Sequence, residues 1–207
     1  MSEGPSMKSV TIAVDAMSGD RGPAVVVSAA LQAVRENQAL SLILVGIRSE
    51  LEALLCQDHP RIRIVEAADV VRMNERPSHA LRHKKNSSMA VALRLVRDGE
   101  AQGCVSAGNT GALMAFGRTI IRMYPGIERP AIAKLIPSLR GKCHVLDLGA
   151  NVDSTAENLY QYALMGSLMA SAICGQVEPR VALLNVGEEE IKGNEQVRLA
   201  SHMLAQC

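Results

Sequence analysis

Tryptophan is absent from this chain of 207 residues, phenylalanine occurs once and tyrosine three times. A surface that stacks nucleic-acid bases needs several aromatic faces, so that mode of recognition is excluded, and the core has to be built from Ala, Val, Leu, Ile and Met. No run approaches the ~18 apolar residues of a membrane span; the nearest, residues 163–174, is short and rich in Gly, Ser and Ala, as in a closely packed helix. The first ten residues hold no apolar stretch, so no secretory signal is expected. An excess of charge is missing too. With 22 basic and 21 acidic side chains the chain carries +1, which argues against charge-expanded disorder and against the basic footprint of a nucleic-acid binder. The five cysteines, at 56, 104, 143, 174 and 207, are odd in number, widely spaced and never in a C-x-x-C unit. Neither a disulfide framework nor a zinc ribbon is implied, and a reducing cytoplasm fits. The histidines at 59, 79, 83, 144 and 202 show no H-E-x-x-H spacing, and no G-x-S-x-G elbow, Walker A loop or G-x-G-x-x-G fingerprint occurs. No metal site and no cofactor is expected.

What the chain does have is alternation. Apolar runs of strand length at 10–15, 41–46, 62–66, 103–107, 144–148 and 180–186 are separated by segments of helical period at 23–36, 49–56, 87–99, 110–123, 155–174 and 194–205. This predicts βα units and a mainly parallel sheet in an α/β fold. Pro23 suits the first turn of a helix, where its missing N–H has no intrahelical partner. Two stretches break the rhythm, 70–85 and 129–142, and read as long excursions.

Four predicted strand ends are polar and glycine-rich, and the carboxyl ends of parallel strands line the crevice where ligands bind. The first runs from Asp15 through Gly19 and Asp20 to Pro23; on its own it reads as a turn with a capping Asp20. The second holds Ser106, Gly108, Asn109, Thr110 and Gly111 before a helix. Its unpaired amides and the helix dipole suit an anion, and an N-cap with close helix-to-sheet packing explains the same residues; both readings stay open. The third, Asp147 to Asp153 with Asn151, carries oxygen donors suited to substrate hydrogen bonding or a turn ahead of a hard metal ion. The fourth runs from Asn185 through Lys192, Gly193 and Asn194 into a helix. A lone cation gains nothing from a helix N-terminus, so Lys192 makes sense there if it shares an anion with the following amides. Arg72, Arg76, Arg82, His83, Lys84 and Lys85 form a basic cluster, either a solvated face or a docking surface for an acidic protein or anionic ligand.

Five of these segments, taken in order, resemble the bacterial phosphate acyltransferase (PlsX) family: residues 12–17, 84–89, 106–114, 148–153 and 184–187 with Lys192-Gly193-Asn194-Glu195. The resemblance implies a Rossmann-like three-layer αβα fold related to phosphotransacetylases and the isocitrate dehydrogenase superfamily. It implies transfer of a long-chain acyl group from acyl carrier protein to inorganic phosphate, giving acyl phosphate for phospholipid synthesis, by a cytoplasmic homodimer whose membrane contact, if it has one, is peripheral. Lys192 is implied as the catalytic residue. Asp15, Gly19, Asp20, Gly108, Asn109, Thr110, Gly111, Asn151, Asp153, Gly193 and Asn194 are implied as the substrate-binding lining, and the acidic carrier gives Arg82, Lys84 and Lys85 a docking role. Ser18 departs from the glycine usual in the family's D-A-M-G-G-D segment and is expected to restrict a turn that needs positive φ. Members of the family also continue beyond the position matching Cys207, so residues 9–207, after an extension at 1–8, are expected to form an α/β domain lacking its C-terminal part. A coenzyme A-dependent phosphotransacetylase and a noncatalytic binding or dimerisation fragment are the alternatives.

Overall fold

A computed structural model describes residues 9–139, 141–149, 151, 153–187, 189 and 192–206. It divides the chain into two compact units, Met1–Arg122 and Met123–Cys207.

The first unit is a four-stranded parallel sheet with helices on both faces. Its elements are β1 (Val10–Asp15), α1 (Gly22–Glu36), β2 (Leu40–Gly46), α2 (Arg48–Leu55), β3 (Ile62–Glu66), α3 (Pro77–His83), α4 (Ser88–Arg97), β4 (Gly103–Ser106) and α5 (Thr110–Phe116), followed by a π-helical turn, Gly117–Ile121. The strand order is β3-β2-β1-β4. The period-2 alternation of each strand divides its side chains between the layers. On β2, Leu42 and Leu44 pack with Val27, Ala30 and Val34 of α1 and with Leu51 and Leu55 of α2. Ile43 and Val45 point the other way, to Ala92 and Leu95 of α4. A third cluster joins Ala80 of α3, Met89 and Leu93 of α4, and Ala112 and Phe116 of α5.

This unit realises the expected three-layer α/β architecture, with Pro23 in the first turn of α1 as anticipated. The excursion at 70–85 differs from expectation, because it contains α3. With proline in its first turn and a single buried residue, Ala80, α3 is too short for its period to stand out. The helix expected over 110–123 is α only as far as Phe116. Beyond it, the Thr119 hydroxyl donates to the carbonyls of Ala115 and Phe116 in the widened turn.

The second unit holds an antiparallel hairpin, β5 (Ala133–Ser138) and β6 (Gly141–Leu146), then α6 (Ala156–Cys174) and α7 (Glu195–Leu204). The hairpin corrects two expectations. Residues 129–142 are not a featureless excursion, since β5 lies within them. The strand expected at 144–148 begins at Gly141 and pairs antiparallel with β5. Pro137 is accommodated in β5 because each strand of a two-stranded sheet has an open side, where proline costs no ladder bond. No strand forms at 180–186. An apolar run becomes a strand only against an open edge, and among the described residues this run pairs with none, leaving Leu184 and Val186 almost fully exposed. α6 starts with a reciprocal cap between Thr155 and Asn158 and ends on Gly175 in the left-handed conformation. At Gly166 a Cβ would sit 3.1 Å from Leu146, so this small residue lets α6 close on β6.

Candidate functional site

In the first unit, β1 is followed by β2 and β3 on one side, and β4 returns to the other. The chain therefore reverses its winding between β1 and β4, and the crevice outside their carboxyl ends is the expected ligand position in such a sheet. Asp15 ends β1 there, in register with Val45 and Ser106, and is 1% exposed. The Ser106 hydroxyl donates to Asp15 Oδ2 at 2.6 Å and accepts the Gly108 N–H at 3.1 Å. One side chain thus ties the two strand ends together and fixes the start of the glycine-rich loop. Among the described residues, Asp15 Oδ1 and the buried Ser18 hydroxyl have no hydrogen-bond partner. Buried polar atoms left in this way are acceptors and donors available to a ligand or water.

Gly19 takes the positive φ, +101°, that the turn requires, and a Cβ there would meet Ala107 Cβ at 3.2 Å. Ser18 is outside the left-handed region, so the serine does not strain the turn as expected; it packs instead. Gly108 is needed because of it, since a Cβ at 108 would lie 2.7 Å from Ser18 Cβ and 2.9 Å from Met89 Cε. Asp20 is exposed and caps nothing: α1 has no side-chain cap. Asn109 is occupied structurally. Its Oδ1 accepts the Ala112 N–H at 3.0 Å as the N-cap of α5, while Nδ2 donates to the carbonyls of Met73 and Glu75, both at 2.8 Å. Thr110 and Gly111 follow in the exposed first turn, and Gly111 leaves room for Pro77, whose Cγ would lie 2.9 Å from a Cβ there. Beside this crevice, burial and then the Asp15 charge push the Cys104 thiol up, which keeps it protonated and unreactive.

The basic cluster is not uniform. Lys84 is turned inward, with its ammonium 2.8 Å from Glu75 Oε2 and donating to the Val70 carbonyl. Glu75 also accepts the Arg72 N–H at 3.2 Å and contacts His79 Nδ1 at 2.7 Å. The Lys84 ammonium foremost, with His79 and the Arg72 amide, holds the Glu75 carboxyl down to about 2 against the cost of burial. Arg82 and Lys85 are exposed.

In the second unit, Asp147 adopts φ +64° and gathers its neighbours: Oδ1 accepts from Asn151 Nδ2 at 3.0 Å and Oδ2 from the Ser154 hydroxyl at 2.6 Å. The Asn151 amide is thereby turned onto Asp147, and Asp153 is exposed. Tyr162 is 3% exposed beneath them, and burial raises its hydroxyl above the ordinary value. Among the described residues no group of three His, Cys, Asp or Glu is placed to hold a metal ion.

Lys192 and Gly193 immediately precede the cap of α7. Asn194 Oδ1 accepts the Val197 N–H at 2.9 Å, and the amides of Glu195 and Gln196, in the first helical turn, have no place in the intrahelical ladder. Gly193 has φ +94°, and a Cβ would fall 2.5 Å from Asn185 Oδ1. Asn185, which opens the fourth polar strand end, braces this loop: Nδ2 donates to the Lys192 carbonyl at 3.0 Å and Oδ1 accepts the Val186 N–H at 2.8 Å. Lys192 is exposed and makes no ion pair among the described residues. Asp15, Gly19, Asp20 and residues 108–111 thus lie in the first unit, and Asn151, Asp153 and residues 192–194 in the second.

A family profile described as fatty acid synthesis protein matches residues 10–207. The chain is 92% identical over 198 residues to a phosphate acyltransferase of Marinobacter nauticus, covering 96% of this chain and 58% of that protein. It is 55% identical over 202 residues to a phosphate acyltransferase of Pseudomonas aeruginosa, covering 96% and 60%. It therefore spans just under three fifths to three fifths of the length of these curated relatives. In solved structures it resembles the EutD phosphotransacetylase from Staphylococcus aureus, with a TM-score of 0.61 at 20% identity over 96% of this chain and 64% of the other. It also resembles a branched-chain phosphotransacylase from Enterococcus faecalis, with a TM-score of 0.60 at 17% identity over 95% and 63%. At these identities the likeness is one of fold.

Proposed function

The chain belongs to the fatty acid synthesis protein family, and from that premise we propose that it acts in an acyltransferase moving a long-chain fatty acyl group from acyl carrier protein to inorganic phosphate, with acyl phosphate as the product passed to phospholipid synthesis. The observation that carries this reading is the near identity, along almost all of this chain, to a phosphate acyltransferase.

The chemistry asks little beyond positioning. A phosphate oxygen, already anionic at neutral pH, attacks the thioester carbonyl. The carbonyl π pair moves to oxygen, giving a tetrahedral oxyanion, and the pair returns as the carbon–sulfur bond breaks and the carrier's thiolate leaves. Lys192 holds anionic oxygen with its ammonium, and the free first-turn amides of α7 add a fixed positive field that needs no reorganisation during the reaction. Gly193 and Asn194 shape that turn. Asp15, Gly19, Asp20, Gly108, Thr110 and Gly111 serve substrate binding at the sheet crevice, with Asn109 holding the loop. Asn151 and Asp153 line substrate in the second unit. The acting species is a homodimer.

The test is acyl phosphate formation from radiolabelled phosphate with acyl carrier protein and coenzyme A thioesters offered separately, for this chain and for a full-length relative bearing the same change. Lys192→Met should lower turnover at least 100-fold, the scale of a lost oxyanion contact. Unchanged turnover removes Lys192 from the mechanism, and a preference for the coenzyme A donor makes the protein a phosphotransacetylase.

A further inference from the structure

Two imidazoles share the exposed side of α3. His79 and His83 are four residues apart and so neighbours on one helical face, with ring centroids 4.7 Å apart and a tilt of 38° between the rings. An imidazole bound through nitrogen at the usual ~2.0–2.1 Å puts its centroid about 3.2 Å from a metal ion, so two rings at this spacing subtend about 95° there, between a right angle and the tetrahedral angle. Glu75 sets the pair apart from two ordinary surface histidines. Its Oε1 lies 2.7 Å from His79 Nδ1. The Glu75 carboxyl, held down to about 2, is ionised at neutral pH and can only accept, so Nδ1 carries the proton and the lone pair of the neutral ring is on Nε2. Glu75 is itself fixed, with Oε2 2.8 Å from the Lys84 ammonium and 3.2 Å from the Arg72 N–H, and its side chain is only 11% exposed. It therefore stands behind His79 as an orienting partner and not as a ligand, in keeping with the lack of any three-donor group among the described residues. His83 makes no hydrogen bond among the described residues, so its exposed ring is free to present either nitrogen.

We propose that His79 and His83 chelate one divalent transition-metal ion of the imidazole-preferring class, Zn²⁺, Ni²⁺ or Cu²⁺, through one nitrogen each, with water in the remaining positions and Glu75 orienting His79 from behind. A carboxylate on the far nitrogen fixes the tautomer and orientation of a metal-binding histidine and raises its basicity. Imidazole ligands select these ions over Mg²⁺ and Ca²⁺, which take hard oxygen donors. Two protein ligands, with the exposed cations Arg76 and Arg82 close in sequence, set the affinity in the micromolar range rather than that of a structural zinc site. The ion clamps α3 across one turn. α3 carries Ala80 against Ala112 and Phe116 of α5, and the Glu75 carbonyl accepts from Asn109. The ion thus braces the segment on which the glycine-rich loop before α5 rests, while taking no part in the reaction. The inference is independent of the acyltransferase reading.

Nickel and zinc chlorides are the probes, titrated separately by isothermal calorimetry onto this chain at 150 mM NaCl with its thiols kept reduced. One saturable ion per chain is expected, unmoved by a tenfold excess of Mg²⁺ and accompanied by a higher melting midpoint in circular dichroism. His79→Gln and His83→Gln should each weaken binding at least 10-fold while melting like the unaltered chain in the absence of metal. Glu75→Gln, which keeps both ligands, should weaken it several-fold. His202→Gln and Cys174→Ser should leave it unchanged, the latter because the thiol 3.5 Å from His144 Nε2 is the competing location for a metal. His83→Gln, which removes an exposed ring without hydrogen bonds, decides the matter alone if His79→Gln proves less stable. No saturable binding below 1 mM metal, undiminished binding by folded His83→Gln, displacement by Mg²⁺, or loss on Cys174→Ser overturns the proposal. A chain that binds the ion and forms no acyl phosphate from any thioester keeps this site and loses the acyltransferase reading.

Discussion

Cys56 ends α2 with φ +62°, a left-handed conformation that costs a residue with a Cβ about 1 kcal/mol. Its thiol makes only long contacts, 3.6 and 3.7 Å, to the carbonyls of Ala53 and Leu54. Cys56→Gly removes the strain at the cost of extra freedom in the unfolded chain, and should raise stability by about 0.5–1 kcal/mol, read as a higher urea midpoint by circular dichroism. Asp147 takes a similar φ, but Oδ1 and Oδ2 accept from Asn151 and Ser154, so its strain is bound up with a network that glycine would abolish. At this scale the sequence was only partly legible. Gly19 and Gly193 were marked by their neighbours, and both are held by positive φ and close packing. Ser18 was misjudged and Asn109 was left open between a cap and a ligand contact, because whether a polar side chain faces a ligand or the backbone depends on which distant carbonyls come within reach. The carbonyls of Met73 and Glu75, more than thirty residues away, are what occupy Asn109.

The excursion between β3 and α4 is held by a few long-range polar contacts rather than by a layer of its own. Asn109→Ser keeps an acceptor to cap α5 and discards the donors to Met73 and Glu75, whereas Asn109→Ala discards both. With about 1 kcal/mol for a cap and 1–3 kcal/mol for carbonyls left unpaired, alanine should cost about 2–4 kcal/mol, and serine should recover roughly the cap's share in chemical denaturation. Glu75 gives the same segment a pH signature. Its carboxyl sits at about 2, below its ordinary 4.5, so its contribution is complete above pH 4.5 and disappears as the pH falls toward 2. With solvent screening that contribution is on the order of 1–2 kcal/mol. Glu75→Gln should be less stable than the unaltered chain at pH 7 by that amount, and the two should converge by pH 2 in parallel denaturation curves. Element types were well read wherever a strand found its partner and a helix presented a broad apolar face. They failed at α3, β5 and residues 180–186, where a short element, an edge proline and a missing neighbour defeat periodicity.

For the whole molecule, a net charge near zero hides a basic stretch opposed elsewhere by acidic residues. This arrangement favours an oriented encounter over general attraction to polyanions. Among the described residues no helix is long and apolar enough to cross a membrane. The parallel sheet of the first unit, with its reversal between β1 and β4, follows from alternation that the sequence displays openly. The division into two units does not, since both carry the same mixture of apolar and polar segments and no Gly- or Ser-rich linker marks the boundary at 122.

The scarcity of aromatic residues has an optical consequence. Tyr124, Tyr160 and Tyr162 all fall in the second unit, and the first holds Phe116 alone. Intrinsic emission excited near 275 nm therefore comes entirely from one half of the chain, with Tyr162 buried and Tyr124 exposed as internal references. The parallel sheet is dark. A tryptophan placed in it would give each half its own wavelength, and the two could be watched melting independently in a single cuvette.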